Sequence, residues 1–110
     1  MLSIQEIRGN CMGQTYARGK ELFDAGEFNN IDIYEDDTYD NMVIDGLVKG
    51  SGSKHYSTTV EIDPESEMIV DYQCECPAYE TYYGMCKHCV ALALVYRERQ
   101  KNSKNKKGAL

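Results

Sequence analysis

Four side chains with the donor chemistry of a zinc site fall in one short segment: Cys74 and Cys76, then Cys86 and His88. They form two pairs, each separated by a single residue. On a strand, positions two apart project to the same side, so Cys74 and Cys76 can aim both sulfurs at one point. Pro77 then ends the strand, and Gly84 gives the nine-residue loop from Pro77 to Met85 the freedom to turn back. Positions two apart on a regular helix diverge by about 200°. Cys86 and His88 therefore converge only if Cys86 lies just before a helix and His88 in its first turn. Four filled positions leave none for a reactive water, so the expected role of one Zn²⁺ ion is structural. Three thiolates, a neutral imidazole and the ion sum to −1, which a helix N-terminus and Lys87 partly offset.

The elements that must position these ligands are readable from periodicity. In GQTYARGKELFDAGEF, Met12, Tyr16, Gly19 and Phe23 recur at helical intervals, and Gly26 follows where a helix would be capped. Gly19 is a poor helix former and marks a close crossing against a neighbour. From Phe28 to Gln73 the period is two. Ile31 and Ile33 open a first strand, residues 42–49 a second, and Tyr56, Thr58, Val60 and Ile62 share one face of a third. After the turn Asp63-Pro64-Glu65-Ser66, Met68, Val70 and Tyr72 alternate into Cys74. Val90–Tyr96 is free of charge and rich in helix formers, and the helix is expected to fade in RERQKNSKNKK. The expectation is an α+β domain over 1–100, with an N-terminal helix, an antiparallel meander of about four strands, and a finger core at 74–96. Residues 101–110 read as a basic tail or linker.

Charge is divided unevenly along the 110 residues. Six basic side chains against Glu98 leave +5 in residues 97–110, whereas six against seventeen acids leave −11 in residues 1–96. A body of that sign disfavours a broad nucleic-acid face and confines phosphate contacts to the tail. No apolar run is long enough to cross a membrane, and no secretory signal opens the chain, so a reducing cytoplasm is the expected compartment. There, five cysteines point to metal before disulfides. The acidic run Glu35-Asp36-Asp37 with Asp40 lacks the spacing and central Gly of a calcium loop. Gly50–Lys54 joins strands and has the wrong spacing for a phosphate loop. His55 and Cys11 have no partner ligand near them in sequence.

The segment CEC-P…G-MCKHCVALAL resembles the SWIM zinc finger, whose pattern is Cys-x-Cys, a variable loop, then Cys-x-His opening an apolar helix. The resemblance implies Cys74, Cys76, Cys86 and His88 as ligands. The upstream stretch YARGKELFDAGEF is similar to the segment preceding this finger in bacterial Swi/Snf-type helicase-like ATPases. That implies an accessory module acting on nucleic acid or on a protein partner. Cys89 departs from the minimal pattern, where an aliphatic residue is usual. It reads as a core thiol, with a competing ligand or a redox pair with Cys86 as alternatives.

Candidate contact residues follow from composition. Tyr79, Tyr82 and Tyr83 crowd the zinc loop, either to stack on bases or pack against a partner, or to shield the metal and fill the small core. Val90, Leu94, Arg97, Lys101 and Lys104 form one helical stripe that turns from apolar to basic. With Lys87, these cations either contact phosphates or solubilise the chain end. The chain has no phosphate-binding loop or motor motif, so the expected function is binding, not catalysis. A protein-interaction module without nucleic-acid binding is the alternative; a thiol redox protein is the remoter one.

Overall fold

The computed structural model describes residues 1–50, 52–77 and 84–108, with the side chains of the last helix as far as Asn102. The elements run α1 (Ile4–Gly9), α2 (Gly13–Asp24), β1 (Phe28–Glu35), β2 (Met42–Lys49), β3 (His55–Asp63), β4 (Met68–Cys74) and α3 (Lys87–Gly108). The strands form one antiparallel sheet in the order β1-β2-β3-β4, the expected meander. The architecture is the α+β class the sequence implies.

The core is organised around α3. Every residue from His88 to Tyr96 is at most 5% exposed. A helix that is apolar all round needs cover on all sides. Here β2, β3 and β4 supply it on one flank, α1 and α2 on the other. The close crossing expected at Gly19 is present. A Cβ there would overlap Val90 and lie 2.8 Å from the Lys87 carbonyl oxygen, so hydrogen alone lets α2 sit against the first turn of α3. The rest of that stripe differs in one place. Met12 is 56% exposed at the helix entrance, and Thr15 is buried in its stead.

Helix α1 has no counterpart in the periodicity. Ser3 caps it, accepting from the Glu6 amide at 3.0 Å. Ser3-x-x-Glu6 is the capping-box spacing, the one local signal for so short a helix. The Glu6 carboxylate reaches across to β4, taking the Asn10 side-chain amide and the Ile69 backbone N–H, both at 3.0 Å. Leu2 is fully buried and donates its N–H to Gln100 at 2.9 Å, while the terminal amine pairs with Glu67 at 3.1 Å.

This N-terminal segment bears on another departure. Instead of fading after Tyr96, α3 continues to Gly108. Lys, Arg, Glu and Gln are good helix formers, and Leu2 extends the covered part of the helix to Gln100.

Strand β4 also departs from simple alternation. Met68 and Val70 are 52% and 51% exposed, and Ile69 is the buried residue. Ile62 pairs with Ile69 and Glu61 with Asp71, which leaves Val70 unpaired in a β-bulge. The bulge restores the phase beyond it, so Tyr72 and Cys74 turn inward. Among the described residues no helix is long and apolar enough to cross a membrane.

Gly19→Ala should therefore destabilise the domain although alanine favours helix. Overpacking costs about 1–3 kcal/mol and helix propensity returns up to ~1. The expected net is a fall of roughly 5–15 °C in Tm. Gly13→Ala, at a position with open space around it, should leave Tm unchanged or raise it.

Candidate metal centre

Each ligand is placed by a different local device. Cys74 closes β4 opposite Thr58 on β3, whose hydroxyl lies 3.4 Å from the Cys74 sulfur. Glu75 keeps the strand direction for one more residue by donating its amide to Ser57 O at 3.1 Å, which brings Cys76 to the same side as Cys74. Both sulfurs are buried. On the return, Gly84 has a φ of +88°, and a Cβ there would collide with the Asn10 carbonyl. That same carbonyl accepts the Met85 amide at 2.8 Å, so the α1–α2 junction fixes the path of the chain into Cys86.

Cys86 precedes α3, and its carbonyl accepts the Val90 amide at 3.1 Å as the first bond of the helix. His88 lies in the first turn. The placement required by the sequence argument is thus the one observed. The His88 Nδ1 atom is 3.7 Å from both the Cys74 and the Cys86 sulfur. The donor atoms of Cys74, Cys76, Cys86 and His88 all lie within 4.8 Å of one another, and all four residues are buried. A tetrahedral zinc with Zn–S of about 2.3 Å sets its sulfurs about 3.8 Å apart, so this constellation fits the ion.

Packing sulfurs and an imidazole together perturbs Cys74, Cys76 and His88. Hydrogen bonds from Cys86 and Cys89 hold the Cys74 thiol far below its ordinary value. Burial, then the crowding sulfurs of Cys86 and Cys74, pushes Cys76 up to about 12. For His88, burial opposes the charged form. The Cys74 and Cys86 sulfurs that accept its proton prevail and raise it to about 9. A divalent cation at the centre relieves this crowding by taking the place of those protons.

Two neighbours of the site were not singled out from the sequence. The Tyr56 ring packs against His88 at 5.2 Å between centroids, and Thr58 touches Cys74. Their shared face on β3 was legible, but their proximity to the ligands depends on the β3–β4 register. Lys87, half-buried, borders a shallow groove with Arg18 and Glu21. Arg97 is half-buried and Lys101 exposed, as a stripe leaving its core should be. Tyr79, Tyr82, Tyr83 and the Lys104 side chain lie outside the described residues. Cys89 is fully buried, 3.8 Å from the Cys86 sulfur.

Residues 58–97 match the family model of the SWIM zinc finger, a span that runs from Thr58 through all four ligands to Arg97. No match was found among curated proteins or among solved structures. The match and the buried Cys/His cluster together give a SWIM zinc-binding module with one structural zinc site.

Native mass spectrometry should find one zinc per chain. A strong chelator should lower Tm and expose the amides of the first turn of α3 to hydrogen exchange, with β1 and β2 affected least. Zinc uptake at pH 7 should also expel the Cys76 and His88 protons, because both groups titrate above that pH. Protons compete with the ion for these sites, so affinity should fall as pH drops from 9 toward 5. Competition titrations with a chromophoric chelator in weakly buffered solution would show both effects, and a pH-independent affinity would contradict them.

Proposed function

We propose that this SWIM zinc finger serves as a nucleic-acid-binding accessory module in which zinc clamps the root of α3 and the basic far end of the helix meets phosphates. The reading rests on one observation. α3 starts at the metal and continues for 22 residues, about 33 Å at 1.5 Å per residue, while its fully buried part ends at Tyr96. Beyond that point the sequence supplies Arg97, Arg99, Lys101, Lys104, Lys106 and Lys107. Arg99 and Lys101 are exposed. The acidic body confines phosphate contact to this projection and orients it. Lys87 and the tyrosines of the zinc loop are the further candidates near the metal.

The setting we favour is a helicase-like, DNA-acting ATPase, on the likeness of YARGKELFDAGEF to the segment preceding this finger in such proteins. The motor would belong to that larger assembly, and this chain would bind without hydrolysing nucleotide. A reducing cytoplasm suits a site built of thiolates, and all five cysteines are free.

A second reading has its own observation. The sheet face turned away from α3 carries Asp45, Glu61 and Asp71 on adjacent strands. Burial, then the charges of Asp71, Asp36 and Asp45, raises the Glu61 carboxyl above its ordinary value. Such a face would gain from a basic protein segment laid across it.

Gel-shift titrations with single- and double-stranded DNA at 50 and 200 mM salt separate the two. Phosphate binding predicts a log-affinity slope of about −0.9 per phosphate contacted on duplex DNA. Arg99→Glu with Lys101→Glu should flatten that slope by about two contacts' worth. Salt-insensitive binding, or none, would reject the nucleic-acid reading in favour of the basic protein partner.

A further inference from the structure

We propose that Cys89 is a fifth donor of the zinc site, able to replace His88 and complete a four-thiolate set with Cys74, Cys76 and Cys86. The first support is distance. The Cys89 and Cys86 sulfurs are 3.8 Å apart. That is about the sulfur–sulfur edge of a tetrahedral zinc thiolate. Cys89 is fully buried and follows His88 directly in the first turn of α3. Exchange thus needs side-chain rotation and a small adjustment of one turn, with no rearrangement of the sheet. The thiol also lies beside the Cys74 sulfur, and its contact outside the cluster is a weak one, 3.7 Å to the Gln73 carbonyl.

The second support is the way His88 is held. A ligating histidine ordinarily donates its second ring N–H to a carboxylate, carbonyl or water, which fixes the ring and strengthens the ligand. Here the His88 Nε2 atom is buried and has no hydrogen-bond partner among the described residues. The Tyr56 ring packs against the imidazole but does not anchor that nitrogen through a hydrogen bond. The fourth position is accordingly the exchangeable one. The three other positions are fixed by the end of β4, the Ser57–Glu75 bond and the start of α3.

The two sets differ in chemistry. Three sulfurs and a nitrogen suit zinc, whereas four sulfurs favour a softer cation of the same charge and shape preference, such as cadmium. The four-thiolate site carries −2, one unit more than the set with His88, and the amides at the α3 N-terminus offset part of it.

The test compares His88→Ala with the double variant His88→Ala/Cys89→Ala. The single variant should retain one zinc per chain by native mass spectrometry. Its cobalt-substituted form should show thiolate charge-transfer absorption about a third stronger than that of the unmodified protein. The double variant should bind at least 100-fold more weakly. Equal weakness of the two overturns the proposal. A second measurement, on proteins that keep His88, covers the case in which His88→Ala fails to fold. Cadmium added to the unmodified protein should give a thiolate charge-transfer band that Cys89→Ala reduces by about a quarter. A band unchanged by Cys89→Ala overturns the proposal equally.

Discussion

The first turn of α3 must meet the end of β4, and most of the molecule can be understood from how that junction is secured. A helix buried on every side gains much apolar burial but has little amphipathic asymmetry to set its rotation or its sliding. Zinc supplies that missing specification at one end, because a tetrahedral set of four donors admits only a narrow range of helix positions. Gly19 removes the Cβ that would push α2 and the same turn apart. At the far end of the buried stretch, Leu2 and Gln100 hold the helix by packing and a hydrogen bond. Metal and hydrophobic burial therefore divide the labour: one sets position, the other supplies most of the cohesion.

Much of this was legible in the residues. The paired spacing of the ligands, the charge-free stretch after His88 and the need for two side chains to converge fix where α3 must start. Gly19 was recognisable as a close approach and Gly84 as a turn; the structure supplies Val90 as the partner of the first and adds a close approach to Asn10 at the second. What stayed hidden depends on contacts between distant parts of the chain. Met68, Ile69 and Val70 are all apolar, so periodicity cannot decide which of them faces inward; the pairing with Ile62 and Asp71's partner Glu61 decides it. Met12 matches the helical period but falls at the entrance, before cover from α3 begins. The length of α3 past Tyr96 was obscured because apolar residues are absent there, whereas the support comes from the other end of the chain.

The polar side of the site shows the same division. The ligands are recognisable by type and spacing alone. Tyr56 and Thr58 matter because β3 is in register with β4, and a shift of one residue would send both to the opposite face. The perturbed protonation of Cys76 and His88 arises from crowding that only a folded chain creates.

The bulge on β4 has a counterpart on β1, where the register with β2 shifts between Asn29 and Asp32, and the pair has a consequence for assembly. The outer strands of the sheet are β1 and β4, and each carries one: at Asn30, with φ +54°, and at Val70. An outer strand with an interrupted ladder is a poor template for a further strand, and on β4 the Ile69 N–H is already taken by Glu6. The sheet is thus discouraged from lengthening by strand addition from either side, including from a second copy of itself. Binding by backbone pairing is disfavoured, and a partner is left to engage side chains on the faces of the sheet or along the helix.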